Sequence, residues 1–341
     1  MSYSVVLPIG STVSWEQLLE VARRADELGF PELWIGELDG FDAFTLAGAL
    51  GRETSRVEMT LGPLAVSVRS PVGLAMGAAS VAAVSSRRAN LAIGTSSNVV
   101  VENWHGRSRR RPAAALDDAA IIIRSVLDGA KTDYPGGTLG SRGFRLRLPH
   151  VAASLTIAAF GQRALQVAAR RADRVVLNMM TVDGVRRVRA ALDEEAGRIG
   201  RDRVRLAVWL ATAVDPTDEV MEQQRRTKVG YLAAPGYAAM FEEAGFGELV
   251  DFARTRPHPR ELHGRVPDEL VHAVGLLGTA KHVLGRADDY FAAGVDEICL
   301  VPSIVNDPGG SRVLETLAPE RGGLSDAPLS SRACEGPFSS S

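Results

Sequence analysis

The stretch Ala89-Asn-Leu-Ala-Ile-Gly-Thr-Ser-Ser-Asn-Val-Val-Val-Glu-Asn-Trp-His-Gly106 guides the interpretation of the whole chain. It begins as a short apolar run that breaks at Gly94, which is typical of a buried strand leaving a sheet. Hydroxyl and amide side chains follow, and the loop ends in Glu102-Asn-Trp-His105. Because binding groups concentrate on loops held by a rigid scaffold, the pattern predicts a functional loop at a strand end. The alternative is a polar surface connection.

The same pattern of a short apolar run and a turn residue recurs along the chain, with helical periodicity between the runs. Eight such strands alternating with helices predict an α/β protein with a TIM (β/α)8 barrel. A doubly wound sheet is the alternative, but it needs a phosphate fingerprint after the first strand, and Pro8-Ile-Gly-Ser-Thr12 does not provide one. The predicted strands lie at 5–7, 33–35, 57–68, 89–94, 155–159, 175–177, 204–214 and 297–301.

Two segments interrupt this alternation. Residues 131–151 contain Tyr134-Pro-Gly-Gly137 and then alternating apolar and basic residues, which predicts a hairpin insertion. Residues 216–277 are too long for one crossover helix, so we expect a helical insertion before the last βα unit. The barrel is expected to span residues 1–318, and the Gly-, Ser- and Pro-rich residues 319–341 are expected to form a disordered tail.

Composition excludes several functional classes. The content of 45% hydrophobic and 23% charged residues is that of a globular protein, and a net charge of −2 gives no general attraction to nucleic acid or membranes. Two distant cysteines form no disulfide framework, and Cys299 lies in an apolar run where we expect core packing. With no signal peptide and no apolar stretch of roughly 18 residues, a cytoplasmic location is expected.

Active sites in such barrels lie at the carboxyl ends of the strands. Here that region is mostly neutral, with no cluster of His, Asp and Glu at metal-ligand spacing and no Lys at a strand end. Metal-dependent hydrolysis and Schiff-base chemistry are therefore not expected. The strand ends supply Pro8, Glu37, Asp39, 66–69, 95–105, 160–163, Asn178, 211–213 and 302–303.

Four side chains in this set are suited to acid–base work or to contacts with a ring. Glu37 and Asp39 are candidates for proton transfer, for hydrogen bonds to a ring or for helix capping, and Asp39 lies closer to the next helix. Trp104 and His105 can stack on a planar ring or hydrogen-bond to it. The alternative for Trp104 and His105 is an aromatic pair that covers a surface patch.

Two further features suit an anion. Gly161-Gln-Arg163 lies where the fifth strand turns into its helix, and backbone N–H groups at a helix start bind phosphate. A simple tight turn is the alternative. Arg107 and the run Arg109-Arg-Arg111 follow the fourth-strand loop, where they would attract a polyanionic tail or else form a solvated face.

These segments resemble the luciferase-like family of flavin and deazaflavin enzymes over residues 1 to about 318. The order and spacing of the motifs are more specific than any one of them. The matching motifs are Leu33-Trp-Ile-Gly-Glu37, Phe41-Asp-Ala-Phe44, Arg69-Ser-Pro71, Leu91-Ala-Ile-Gly-Thr-Ser-Ser97, Glu102-Asn-Trp-His-Gly106, Ala158-Ala-Phe-Gly-Gln-Arg163 and Ala172-Asp-Arg-Val-Val-Leu-Asn178.

The resemblance implies a barrel that binds coenzyme F420, a deazaflavin with a phosphate and an oligoglutamate tail, or alternatively FMN. It also implies a non-proline cis peptide within residues 65–68, a phosphate loop at 161–163, and a homodimer. Glu37 and His105 are the expected catalytic residues. The expected cofactor-binding residues are Asp39, Ala65, Val66, Ser67, Thr95, Ser97, Asn98, Trp104, Phe160, Gly161, Gln162, Arg163 and Asn178.

The leading hypothesis is that reduced F420 delivers hydride to a C=C or C=N bond of a small or peptide-like substrate. Composition and the strand-end residues give no indication of a metal, nucleic acid or membrane partner. An FMN-dependent monooxygenase and a non-catalytic flavin-binding barrel are the alternatives. The sequence departs from the sugar-phosphate dehydrogenase branch of the family. Glu37-Leu38 replaces that branch's acidic–His pair, and Ser96-Ser97 replaces its carboxylate, so glucose 6-phosphate is not the expected substrate.

Overall fold

The computed structural model describes residues 1–8, 13–149, 152–234 and 236–319. Within these ranges eight parallel strands close into a barrel, because β8 and β9 pair with each other and complete the ring. The predicted TIM barrel is therefore confirmed, and each predicted strand coincides with a barrel strand. The barrel strands are β1 (Ser2–Val6), β2 (Glu32–Ile35), β3 (Glu58–Ala65), β4 (Ala89–Gly94), β7 (Leu155–Ala158), β8 (Arg174–Asn178), β9 (Arg205–Val214) and β11 (Glu297–Pro302).

Helices surround the barrel in the connections between strands. A π-helix, Val99–Trp104, occupies the loop after β4, and a 3₁₀-turn, Pro308–Gly310, precedes the last helix. In the described part of the chain, no helix has both the length and the apolar character needed to cross a bilayer. The outer helices are α1 (Trp15–Leu28), α2 (Ala43–Glu53), α3 (Pro71–Ser85), α4 (Pro112–Leu127), α5 (Gln162–Arg171), α6 (Val182–Arg198), α12 (Ala280–Ala292) and α13 (Ser311–Thr316).

Both predicted insertions are present. The first contains an antiparallel hairpin of β5 (Asp133–Tyr134) and β6 (Ser141–Arg142), although the alternating residues 144–148 after it are not a strand. The second carries the predicted helices before the last βα unit. These helices are α7 (Asp218–Val229), α8 (Tyr237–Phe241), α9 (Gly247–Arg254), α10 (Pro259–His263) and α11 (Asp268–Ala273), with a π-helix at Glu242–Phe246. The predicted disordered tail lies outside the described residues, apart from Pro319.

A ninth strand, β10 (Gly275–Gly278), was not predicted. It pairs in parallel with the end of β9, from Gly275 beside Ala211 to Gly278 beside Val214. Only two leucines lie between its terminal glycines, so its apolar run is too short to identify from sequence. β10 thus extends the sheet beside the carboxyl end of β9, where the helical insertion rejoins the barrel.

Strand β3 is irregular where the sequence carries Gly62-Pro63. Its register with β4 shifts between Leu61 and Leu64, and Gly62 has a φ of 117°. A Cβ at Gly62 would lie 2.2 Å from the Ala92 carbonyl oxygen, so this close approach requires glycine. The expected non-proline cis bond in 65–68 is wrong, since the cis bond found in the described residues is Gly62–Pro63. Residues 66–68 instead form a turn, in which Val68 N–H donates to Ala65 O at 3.0 Å.

The amino-terminal end of the barrel interior is polar and buried. Arg174 opens β8 and donates to both carboxylate oxygens of Glu32, the first residue of β2, at 2.5 and 2.9 Å. It also donates to Glu297, the first residue of β11, at 2.7 Å. Burial by itself raises the pKa of Glu32, but the hydrogen bonds and charge of Arg174 bring that pKa below its usual value. The three side chains therefore form a charged layer that closes this end.

An apolar layer lies above the charged one. Trp34 and Trp209 meet edge to face, with ring centroids 5.5 Å apart, inside a small cluster that also contains Cys299. Cys299 is fully buried, as expected for a core residue. Two indoles at the centre of the barrel form a floor beneath the carboxyl ends of the strands.

Candidate active site

Small residues line the strand ends above the tryptophan pair. Ala65 and Gly94 are register partners across β3 and β4, and Ala158 and Ala211 stand near the ends of β7 and β9. A Cβ at Gly94 would come within 3.3 Å of the Ala158 Cβ, so the backbones are close here. At these four positions the strands contribute little side-chain volume to the mouth, a composition that suits a flat ligand.

Glu37 lies in the loop after β2 and is held by an ion pair. Arg69 Nη2 donates to Glu37 Oε2 at 2.7 Å and to Asp42 Oδ2 at 2.5 Å, which ties the β2 and β3 loops together. Glu37 Oε2 also accepts the Ala43 N–H at 3.0 Å, at the start of α2. Through these contacts the Glu37 carboxylate positions Arg69 and the start of α2.

Asp39 does not cap α2, so the expectation that it is the more cap-like of the two acids is wrong. The N-cap is Asp42, whose side chain accepts the Thr45 N–H at 2.8 Å. Asp39 is exposed, three residues further from the helix. An N-cap has to stand directly before the first helical residue, which is why Asp42 takes this role.

The loop after β4 is shaped by Arg109. Its guanidinium donates to Ser96 O at 2.9 Å, and to Thr95 Oγ1 and Asn98 Oδ1 at 3.3 Å each. Ser97 Oγ accepts the Val100 N–H at 3.2 Å and so helps to start the π-helix. Arg109 is therefore part of the loop, whereas the neighbouring arginines 107, 110 and 111 are exposed.

Trp104 and His105 lie at the exposed end of this π-helix. Trp104 is 51% exposed, and the His105 side chain makes no hydrogen bond or ion pair to any described residue. Both are free to meet a ligand. No hydrogen bond or ion pair among the described residues joins His105 to Glu37, so the two predicted catalytic residues do not form a hydrogen-bonded pair.

Gly161 opens α5 with a φ of 78° and no side-chain cap. A Cβ at this position would meet no atom within 4 Å, and Gln162 and Arg163 are exposed. The first N–H groups of α5 thus face open space beside an arginine. A helix start of this kind can bind phosphate, and a phosphate site here stays a prediction.

Phe160 and Asn178 are both in contact with Tyr237, an insertion residue that sequence reasoning missed. The rings of Phe160 and Tyr237 have centroids 4.3 Å apart, and Tyr231 lies 4.9 Å from Tyr237. Asn178 Nδ2 donates to the Tyr237 hydroxyl at 3.1 Å. Two of the chain's five tyrosines lie within this one insertion, which the sequence shows. The sequence does not show that Tyr237 contacts the ends of distant strands.

Some buried polar groups lack protein partners. The indole Nε1 of Trp209 and the hydroxyl of Ser303 are buried without a hydrogen bond among the described residues. Lys228 is 1% exposed, and among the described residues its ammonium donates hydrogen bonds only to the neutral Gln224 and Thr227. Within the ranges that the structure describes, no group of three His, Cys, Asp or Glu side chains is placed to hold a metal ion.

The closed parallel barrel places this chain among the TIM-barrel proteins, whose active sites lie at the carboxyl ends of the strands. Residues 1–297 match the family model described as luciferase-like monooxygenase. The chain therefore belongs to the luciferase-like monooxygenase family, as the sequence motifs indicated.

Known relatives include a 5,10-methylenetetrahydromethanopterin reductase of Archaeoglobus fulgidus, which is 22% identical over 297 residues, covering 84% of this chain and 89% of the relative. Among solved structures, the coenzyme F420-dependent tetrahydromethanopterin reductase of Methanopyrus kandleri superposes with a TM-score of 0.80 at 16% identity, covering 93% and 100% of the two chains. An F420-dependent secondary alcohol dehydrogenase superposes with a TM-score of 0.74 at 17% identity, covering 93% and 97%. At such identities the structural likeness concerns the fold.

Proposed function

We propose that the chain is an F420-dependent oxidoreductase in which hydride passes from reduced F420 to a C=C or C=N bond of a small or peptide-like substrate. Family membership and the two F420-dependent enzymes among the similar solved structures support this choice. The observation that carries it is the open, uncapped start of α5 at Gly161, beside a mouth of small residues above a tryptophan floor. This arrangement suits a planar ring joined to a phosphate.

The residues of the mouth fit such a cofactor. The buried Nε1 of Trp209 has no described partner and can donate to a ring acceptor. The turn at residues 65–67 and the polar loop of Thr95, Ser97 and Asn98 would border the ring. When bound, reduced F420 supplies the hydride, and the protein contributes orientation and exclusion of water.

The phosphate and the acidic tail of F420 would be held by different groups. The first N–H groups of α5 and Arg163 are placed for the phosphate. The exposed arginines 107, 110 and 111 would attract the oligoglutamate tail, with a strength that depends on salt. Asp39, which is exposed and acidic, is the predicted cofactor residue with the least support from this arrangement.

Proton supply is assigned to His105. Its ring is exposed and unpaired among the described residues, and imidazole exchanges protons readily near neutral pH. Glu37, the other candidate, accepts hydrogen bonds from Arg69 and Ala43 N–H. We therefore assign Glu37 to holding Arg69 and the β2 loop.

A homodimer is part of the proposal. Helix α3 contains no charged residue, and its outer side exposes Met76, Ala83 and Val84, with exposed fractions of 46% for Met76 and 58% for Val84. Phe41, before α2, is a further exposed apolar side chain. Ser80 is also exposed on α3. A helix that carries no charge and exposes mainly apolar side chains is normally covered, which suits a second copy of the chain.

The function is tested by titrating the protein with F420 and with FMN and following cofactor fluorescence. We expect F420 to bind, and reduced F420, but not NADPH, to be oxidised in the presence of an imine or enone acceptor. Arg163→Ala should weaken F420 binding about ten-fold, since a lost charge-assisted contact to phosphate is worth about 1.5 kcal/mol. Arg170→Ala, at the opposite end of α5, is the control. If neither F420 nor FMN binds, the proposal is wrong.

The second candidate is a flavin monooxygenase, which the family's description favours. Oxygen consumption driven by reduced FMN, in place of imine or enone reduction, would identify it. A non-catalytic flavin-binding barrel is the third. In that case, the wild-type chain would bind cofactor without turnover, and His105→Ala and Glu37→Gln would leave cofactor binding unchanged.

A further inference from the structure

Tyr237 connects the helical insertion to the barrel mouth. It is the first residue of α8, its ring packs on Phe160 beyond the end of β7, and its hydroxyl meets Asn178 at the end of β8. Gly236 allows this approach, because its φ is 90° and a Cβ there would lie 2.7 Å from Phe160 Cδ1. The tyrosine is therefore held against two strand ends.

Phe160, Tyr231 and Tyr237 form one aromatic wall. The three rings are in successive contact, at centroid distances of 4.3 and 4.9 Å, and each residue is half-buried. Partly exposed ring surface at the mouth favours flat apolar groups, which can stack on it or meet it edge to face. A ligand lying over the strand ends would thus meet an aromatic surface on the insertion side.

The hydroxyl of Tyr237 has hydrogen-bonding capacity left over. A phenol can make three hydrogen bonds, and in the described ranges Tyr237 makes one, with Asn178. Burial is the largest cause that raises the pKa of Tyr237, so the hydroxyl keeps its proton and remains a potential donor. On the strand beside Asn178, its register partner Trp209 also has a buried N–H without a described partner. The Trp209 N–H is assigned to the cofactor ring, so the remaining donor capacity of the Tyr237 hydroxyl is left for a second ligand that carries an acceptor atom.

We propose that Tyr237 is the specificity-determining residue of the mouth. It selects a substrate whose C=N bond belongs to a planar ring system fused to an aromatic ring. The flat ring packs on the wall of Phe160, Tyr231 and Tyr237, and the imine nitrogen accepts a hydrogen bond from the Tyr237 hydroxyl. This inference rests on the proposed function and narrows its substrate class.

The test uses the full chain loaded with oxidised F420, in mildly alkaline buffer where imines are unprotonated. Calorimetry compares two probes that share the C=N group, namely 3,4-dihydroisoquinoline, which is aromatic-fused, and 2-methyl-1-pyrroline, which is not. We expect the fused imine to bind at least about ten-fold more tightly, a difference within reach of ring burial and stacking. Tyr237→Phe keeps the ring and removes only the hydroxyl, so it should weaken binding of the fused imine about five-fold.

Tyr3→Phe is the matched control, because it also removes only a tyrosine hydroxyl, but near the start of β1, where the ring packs on Phe291 at the end of the barrel opposite the mouth. It should not change binding of the fused imine, and neither variant should change F420 affinity. The inference is overturned if F420-loaded enzyme binds neither imine, binds both equally, or is unaffected by Tyr237→Phe. Failure of the unmodified chain to bind F420 would instead refute the proposed function. The wild-type comparison of the two imines stands even if Tyr237→Phe does not fold.

Discussion

Arg174 and Glu297 form a buried ion pair across the barrel, with Nη1 and Oε2 2.7 Å apart and each side chain less than a tenth exposed. The same guanidinium holds Glu32, so one cation serves two buried carboxylates. Removing it would leave both acids without their main partner in a region from which water is largely excluded. Such a loss costs far more than the net value of the ion pairs themselves.

Arg174→Met should therefore lower the free energy of unfolding by about 3–5 kcal/mol, measured by urea denaturation. Arg205→Met is the control. Arg205 also approaches Glu297, at 3.4 Å, but its side chain is 58% exposed, so we expect a loss of less than about 1 kcal/mol. Equal losses for the two variants would show that burial does not govern this layer.

Lys228→Met should stabilise the protein. Burial lowers the pKa of Lys228 from 10.5 to about 8, so below pH 8 the folded state bears the cost of a buried ammonium, on the order of 3 kcal/mol. That cost falls as the pH rises from about 8 to 10.5, because the unfolded state then binds more protons than the folded state. The gain over wild type should thus be largest near pH 7 and decline above pH 8.

Denaturation curves of both proteins at several pH values measure this difference. Lys281→Met, on the exposed side of α12, is the control and should change stability by less than about 0.5 kcal/mol at every pH. A constant or rising advantage of Lys228→Met above pH 8 would contradict the assignment.

Gly236→Ala should destabilise the helical insertion. The new methyl group would lie 2.7 Å from Phe160 Cδ1, in addition to the backbone strain of a φ of 90°. Gly245→Ala introduces the same kind of strain, at a φ of 92°, but its Cβ meets nothing within 4 Å. Urea unfolding should therefore show a loss about 1–2 kcal/mol greater for Gly236→Ala. Hydrogen exchange should quicken in α8 for that variant.

Met76→Arg should separate the proposed dimer into monomers, because it would place a guanidinium in the apolar outer side of α3. Light scattering during size-exclusion chromatography measures the mass. Leu284→Arg, at a comparably exposed leucine on α12, should leave the dimer intact. A wild-type chain that elutes as a monomer would remove the basis of this prediction.

Much of the fold could be predicted because most strands are recognisable from their own residues, as short apolar runs that end in Gly, Pro or Asn. The order of strands around the barrel then follows from parallel pairing of neighbours. Strand β10 was missed, since its two leucines contain too little pattern. The position of Gly161 was likewise visible in sequence, because a turn between strand and helix is a local feature.

Features that depend on distant contacts could not be predicted. Arg174 and Glu32 are 142 residues apart in the sequence. Neither strand carries a local pattern that indicates an ion pair with the other. The contact of Asn178 with Tyr237 depends on how the insertion folds back, which composition does not encode. The sequence predicts a catalytic role for Glu37. A positioning role is indicated by its contacts with Arg69 and Ala43 N–H, which the sequence does not show.

The charged layer of Glu32, Arg174 and Glu297 closes the pole of the barrel opposite the proposed ligand site. Tolerance to mutation should therefore differ between the two poles. Substitutions in the loops at the carboxyl ends of the strands should alter ligand preference at little cost in folding stability. Glu32, Arg174 and Glu297 depend on one another, so a substitution of one of them requires substitution of the other two. Directed evolution of this barrel should therefore randomise the strand-end loops and keep Glu32, Arg174 and Glu297 unchanged.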